Sequence, residues 1–157
     1  MKERYGEHLT VGLHPGFVAE VVIDRPPNNH VSVELMRQLA DALGDLDKES
    51  GARCTVLRTE GKAFCAGADL VSADGGSGLE TKGTNPLYDE AVRLFSVEKP
   101  IVAAIQGAAV GAGLGLAVVA DFRIACAESR FSANFTRLGY HPGFGLTASL
   151  PRLIGAQ

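Results

Sequence analysis

Two stretches decide how this chain is read: Gly61-Lys62-Ala63-Phe64-Cys65-Ala66-Gly67-Ala68-Asp69-Leu70 and Gly107-Ala108-Ala109-Val110-Gly111-Ala112-Gly113-Leu114-Gly115. Each follows a short apolar run, residues 54–58 and 101–105, that reads as a strand. Each is built mostly of small residues, which let a ligand approach the main chain closely. The second runs into an apolar helix ending near Ala120. A loop leading into a helix leaves N–H groups without intrahelical partners, and the helix dipole favours negative charge there. Two such loops brought together would hold one oxygen between two N–H donors, which is an oxyanion hole. Taken singly, either loop reads more readily as a tight turn between packed elements. Gly111, Gly113 and Gly115 do not complete a dinucleotide fingerprint, because GxGxxG would need glycine at Leu116.

Working outward, residues 17–23 form an apolar run interrupted by Glu20 and read as a strand, stopped by Asp24-Arg25-Pro26-Pro27-Asn28-Asn29. Ser32 is placed to cap a helix running to about Lys48, with Leu35, Leu39, Leu43 and Leu46 on one face. A flexible segment is expected at the glycine-rich run 75–78, then a helix over 86–98 ended by Lys99-Pro100. A strand is expected at 123–127 and a last helix within 143–153. Strands alternating with helices predict an α/β fold with crossover connections.

The 157 residues suit one domain, 1–157, and 46% hydrophobic with 21% charged residues is an ordinary globular composition. A net charge of −3 argues against nucleic acid as a partner. The longest apolar stretch, 107–120, is too short and glycine-rich to span a membrane. The N-terminus lacks the apolar core of a signal peptide, so a cytoplasmic location is expected. Cys54, Cys65 and Cys126 are widely spaced with no CxxC pair, which reads as reduced thiols rather than a metal site.

Read together and in order, certain motifs resemble the crotonase superfamily, also called the enoyl-CoA hydratase/isomerase family. They are Asp24-Arg25-Pro26, the whole run 61–70, Lys99-Pro100 through Gly107, Gly111-Ala112-Gly113, Ala120-Asp121 and Leu138-Gly139. The resemblance implies a spiral of repeated ββα units, and an acyl-CoA-processing enzyme of lyase or isomerase type in fatty acid metabolism. It implies that the backbone N–H groups of Ala68 and Ala112 hold a thioester enolate. Pro27, Asn28, His30, Ala66, Asp69 and Leu70 are implied to bind coenzyme A, with Arg25 and Lys62 as nearby cations for its phosphates. Val110, Gly113, Asn134, Phe135 and Leu138 complete the implied substrate-binding set. No resident cofactor or metal is expected, since coenzyme A arrives as part of the substrate. The partner implied is a second copy of the chain, in a trimer or dimer of trimers. Family members continue with further helices past the point where this chain stops at Gly155-Ala156-Gln157, so a C-terminal helical part is expected to be missing.

Hydratases of that family use two glutamates, and at the corresponding positions this chain has Gly115 and Phe135. Acid–base catalysis needs a titratable group within reach of the transferred proton. Simple hydration is therefore not expected. His141 and Tyr140, near the implied acyl end, are the candidate replacements, since imidazole is a common acid or base near neutral pH. Asp89 and Glu90 read as a solvated helix face, and Asp121 as a backbone-fixing residue. Two other readings stay open: a CoA-thioester-binding protein without turnover, and a histidine-dependent hydrolase of carbon–carbon bonds.

Overall fold

The computed structural model describes residues 2–71 and 85–156. The run 75–78 therefore lies outside the described residues. The elements are β1 (Leu9–His14), β2 (Val18–Ile23), α1 (Val33–Lys48), β3 (Cys54–Thr59), α2 (Pro86–Leu94), β4 (Ile101–Ile105), β5 (Ala108–Val110), α3 (Ala112–Val119), β6 (Phe122–Ala125), β7 (Arg130–Ser132), a 3-10 helix (Asn134–Leu138) and α4 (Leu146–Ile154).

The main sheet has the order β1-β2-β3-β4-β6, antiparallel between β1 and β2 and parallel elsewhere. β2, β3 and β4 alternate buried and half-buried residues, as strands with a covered face require. Helix α1 packs on β1 and α2, burying Leu35, Met36, Leu39, Leu43 and Leu46. Each such side chain contributes about 1.5–3 kcal/mol when removed from water. The Ser32 hydroxyl caps the helix by accepting the Leu35 N–H at 3.2 Å, as the sequence predicts.

A second backbone ladder forms beside the main sheet. Val31 bridges to Ala68, Cys65 bridges to Ala109, and β5 pairs with β7, all in parallel. After β2, β3, β4 and β6, the chain thus turns from the main sheet into this second layer. After the first three turns it goes on to a helix. That is a spiral of ββα units, with an α/β architecture as expected.

The structure corrects several boundaries. The helix expected over 86–98 ends at Leu94. Beyond it the chain is drawn to the end of α1: Asp47 accepts the Glu98 and Lys99 N–H groups at 3.1 and 3.0 Å. The Lys99 ammonium donates to the Leu46 and Glu49 carbonyls at 2.5 and 2.7 Å, replacing a further helical turn. β1, β5 and β7 were not expected. β1 is an edge strand containing Gly12, and the other two are only three residues long, too short for a period to show. Asp121 does fix backbone, accepting the Ile101 N–H at 2.8 Å. Among the described residues, no helix is long and apolar enough to cross a membrane.

Gly107 joins β4 to β5, and a Cβ there would stand 1.9 Å from the Lys62 carbonyl oxygen. Gly107→Ala should therefore lower the melting temperature by about 4–10 °C in calorimetry. An unchanged value would mean that the two layers do not meet at this point.

Candidate active site

The site is built from main chain. Around Ala68, the Val31 N–H donates to the Gly67 carbonyl at 3.0 Å, and the Asp69 N–H donates to the Val31 carbonyl at 2.8 Å. The Asp69 N–H and the Gly67 carbonyl, which shares a peptide group with the Ala68 N–H, thus both face Val31. Alternation along a strand turns the Ala68 N–H to the opposite side, toward β5. There β5 pairs with Cys65, which donates to Ala108 at 2.9 Å and accepts from Val110 at 3.0 Å. β5 then ends at Val110, and Gly111 turns the chain into α3. The ladder runs out just where Ala68 would need a partner. Among the described residues no backbone carbonyl takes its N–H.

Ala112 is the first residue of α3, so its N–H has no intrahelical acceptor. Both alanines follow a glycine at positive φ, +110° at Gly67 and +56° at Gly111, angles a side chain would strain. Gly113 allows the two segments to approach, since a Cβ there would lie 2.1 Å from the Cys65 carbonyl oxygen.

Ala68 and Ala112 line one cavity of about 330 Å³ with Ala66, Leu70, Asn85, Leu87, Tyr88, Asn134, Phe135, Leu138, Tyr140 and His141. It thus gathers Ala66, Ala68, Leu70, Ala112, Asn134, Phe135, Leu138, Tyr140 and His141 from the sequence-derived set. Arg25, Pro27, Asn28, His30, Lys62, Asp69, Val110 and Gly113 lie outside its walls. Pro27, Asn28 and Lys62 are exposed, while Gly113 is buried at the segment crossing.

Arg25, expected near phosphates, is turned inward. Its guanidinium donates to the Asp69 carboxylate at 2.7 Å and to the His30 carbonyl at 2.5 Å. The His30 ring in turn lies 3.3 Å from the Gly67 carbonyl. Asn29, which sequence reading missed, is buried at φ +53°. Its amide donates to the Glu60 and Ala63 carbonyls at 2.7 and 2.9 Å, and its oxygen accepts the Arg25 N–H at 2.8 Å. The available signal was Asn-Asn in a turn, since asparagine tolerates left-handed backbone. These residues hold the turn after β2 against the first loop.

Gly115 and Phe135, the two positions where the family resemblance implies glutamate, are closely packed. A Cβ on Gly115 would meet the Phe144 side chain at 2.5 Å, so Phe144 occupies the space a longer side chain would need. Phe135 packs with Leu114, Val118 and Leu146. No carboxylate lines the cavity among the described residues. Cys65 is buried, and desolvation pushes its thiol up to about 11, which rules against a nucleophilic role.

The sequence profile of the Enoyl-CoA hydratase/isomerase family matches residues 14–157, and the chain belongs to that family. It is 41% identical over 151 residues to a probable enoyl-CoA hydratase of Mycobacterium tuberculosis, covering 95% of this chain and 58% of the relative. It is 34% identical over 144 residues to 1,2-epoxyphenylacetyl-CoA isomerase of Escherichia coli, covering 88% of this chain and 55% of that one. The crystal structure of an enoyl-CoA hydratase/isomerase from Pseudoalteromonas atlantica superposes with a TM-score of 0.82 at 32% identity, covering 95% and 59% of the two chains. The chain thus spans less than two thirds of the length of these relatives.

Two outcomes test the site's packing and thiols. Gly115→Glu should lower the melting temperature by about 3–10 °C, and adding Phe144→Ala should recover part of the loss. Simple additivity would show that Phe144 does not fill the glutamate's space. Under native iodoacetamide, peptide mass spectrometry should find exposed Cys126 alkylated first, because the Ser129 hydroxyl holds its thiol below the usual range. Cys65 should react only after unfolding.

Proposed function

We propose that this chain carries the thioester-binding core of an acyl-CoA-processing enzyme. In this reading Ala68 and Ala112 stabilise the substrate's enolate through their N–H groups, by a route other than two-glutamate hydration. The observation that carries the reading is that both alanines, each after a positive-φ glycine, line one cavity. A thioester α-proton becomes acidic only when the developing oxyanion is stabilised, and one such donor contributes about 3 kcal/mol. The apolar walls Leu70, Leu87, Phe135 and Leu138 exclude water, which strengthens those hydrogen bonds.

His141 at the rim and Tyr140 beside it are the proposed proton-handling groups. Pro27, Asn28, His30, Ala66, Leu70 and the main chain of Asp69 are assigned to the coenzyme, with exposed Lys62 for its phosphates. Arg25 positions the loop instead, because its guanidinium is already engaged. Val110, Gly113 and Asn134 are assigned to shaping the acyl entrance. The exposed apolar residues Phe122, Ile124 and Phe131 support a contact with a second copy of the chain. The free thiols accord with a reducing cytoplasm.

The absence of a lining carboxylate among the described residues favours one alternative, a CoA-thioester binder without turnover. Both readings are separated by incubating the protein with butyryl-CoA in deuterated water. Mass spectrometry should show deuterium at the α-carbon, and crotonyl-CoA should gain no water. Ala112→Pro deletes one donor at a helix position that tolerates proline, and should lower exchange about 100- to 1000-fold. His141→Ala should lower exchange far more than it weakens binding. Binding without any deuterium uptake would establish the non-catalytic reading.

A further inference from the structure

Tyr88 was not among the residues singled out by sequence, yet it lines two of the structure's cavities. It lies on α2, and together with His141 it lines both the cavity bordered by Ala68 and Ala112 and a second cavity of about 470 Å³ between α2 and α4. Its position is defined by a missing side chain. A Cβ on Gly143 would lie 2.0 Å from the Tyr88 hydroxyl, so the ring tip lies directly over that backbone. The neighbouring Phe144 fills the space at Gly115. The segment that removes room for a carboxylate on α3 therefore also seats a phenol in the cavity wall.

The hydroxyl has no protein partner among the described residues. Burial raises its titration above the ordinary tyrosine range, so it is protonated at neutral pH and able to donate. It is also no buried orphan, because no fully enclosed side-chain polar atom lacks a partner among the described residues. Tyr88 lines two mostly apolar cavities, its hydroxyl seated over Gly143 of the second, and a half-buried donor there leaves its hydrogen bond to be completed by what enters. A site of that kind discriminates against an analogue lacking the acceptor, because the donor is then left without a partner.

We propose that Tyr88 is a specificity-determining residue whose hydroxyl donates to an oxygen on the acyl group, so that the site selects acyl thioesters oxygenated at or beyond the β-carbon. The inference rests on the acyl-CoA reading above. The second cavity, beyond Tyr88 and His141, gives an acyl chain room to continue past that oxygen.

The test compares dissociation constants of butyryl-CoA, 3-hydroxybutyryl-CoA and 4-hydroxybutyryl-CoA by calorimetry, for the unaltered protein and for Tyr88→Phe. The phenyl ring keeps the packing over Gly143 and removes only the donor. The unaltered protein should favour at least one oxygenated thioester over butyryl-CoA by about fivefold or more. Tyr88→Phe should reduce that ratio to less than about twofold. A ratio near one in the unaltered protein, or a ratio unmoved by the substitution, overturns the role of Tyr88 while leaving thioester binding in place. Failure of all three ligands to bind overturns the acyl-CoA reading and this inference with it.

Discussion

The site depends on a strand ladder that stops one residue early. Val31, Ala68 and the β5 segment lie side by side in the second layer, and hydrogen bonding is complete up to Cys65 and Val110. At Gly111 the chain leaves the ladder to start α3, and the Ala68 N–H is left facing the gap. The first N–H of α3 borders the same space. Unpaired backbone donors are costly away from water, so such a pair persists only where solvent or a ligand can reach it. The main chain supplies the polarity, which leaves the side chains of Ala68 and Ala112 incidental and their preceding glycines essential.

Glycine acts elsewhere by leaving room rather than by adopting unusual angles. Gly113 lets α3 approach the Cys65 carbonyl, Gly115 accommodates Phe144, and Gly143 accommodates the tip of Tyr88. Each hole is filled by one neighbour, in keeping with interiors that tolerate few voids. A carboxylate on α3 and an aromatic at Phe144 compete for one volume, and here the aromatic holds it. The cavity bordered by Ala68 and Ala112 is lined by apolar walls, amides, phenols and an imidazole among the described residues. Such a setting strengthens a hydrogen bond to a developing oxyanion.

The polar residues that looked like ligands divide by burial. Arg25 and Asp69 pair at 2.7 Å with little exposure, and that pair ties the turn after β2 to the first small-residue loop. A charge placed there needs a partner, because desolvation without one is expensive. Lys62 is exposed and carries no such duty. Asn29, buried and fully bonded, completes the same junction.

The residues alone determined much of the local structure: α1 with its Ser32 cap, the apolar runs of β2, β3 and β4, and the two small-residue loops. They also put no titratable group at Gly115 or Phe135, where the resemblance implies glutamate, since the chemistry of a side chain is legible without a fold. Periodicity could not show β5 and β7, because three residues hold no period, nor the early end of α2, which Asp47 and Lys99 impose from another element. It could not reveal that Arg25 turns inward or that Tyr88 reaches the cavity. Those outcomes depend on which side chains meet across 44 and 55 positions of chain, Arg25 with Asp69 and Tyr88 with Gly143. Contacts of that range are set by packing in three dimensions, where volume and desolvation decide among partners that sequence order leaves equivalent.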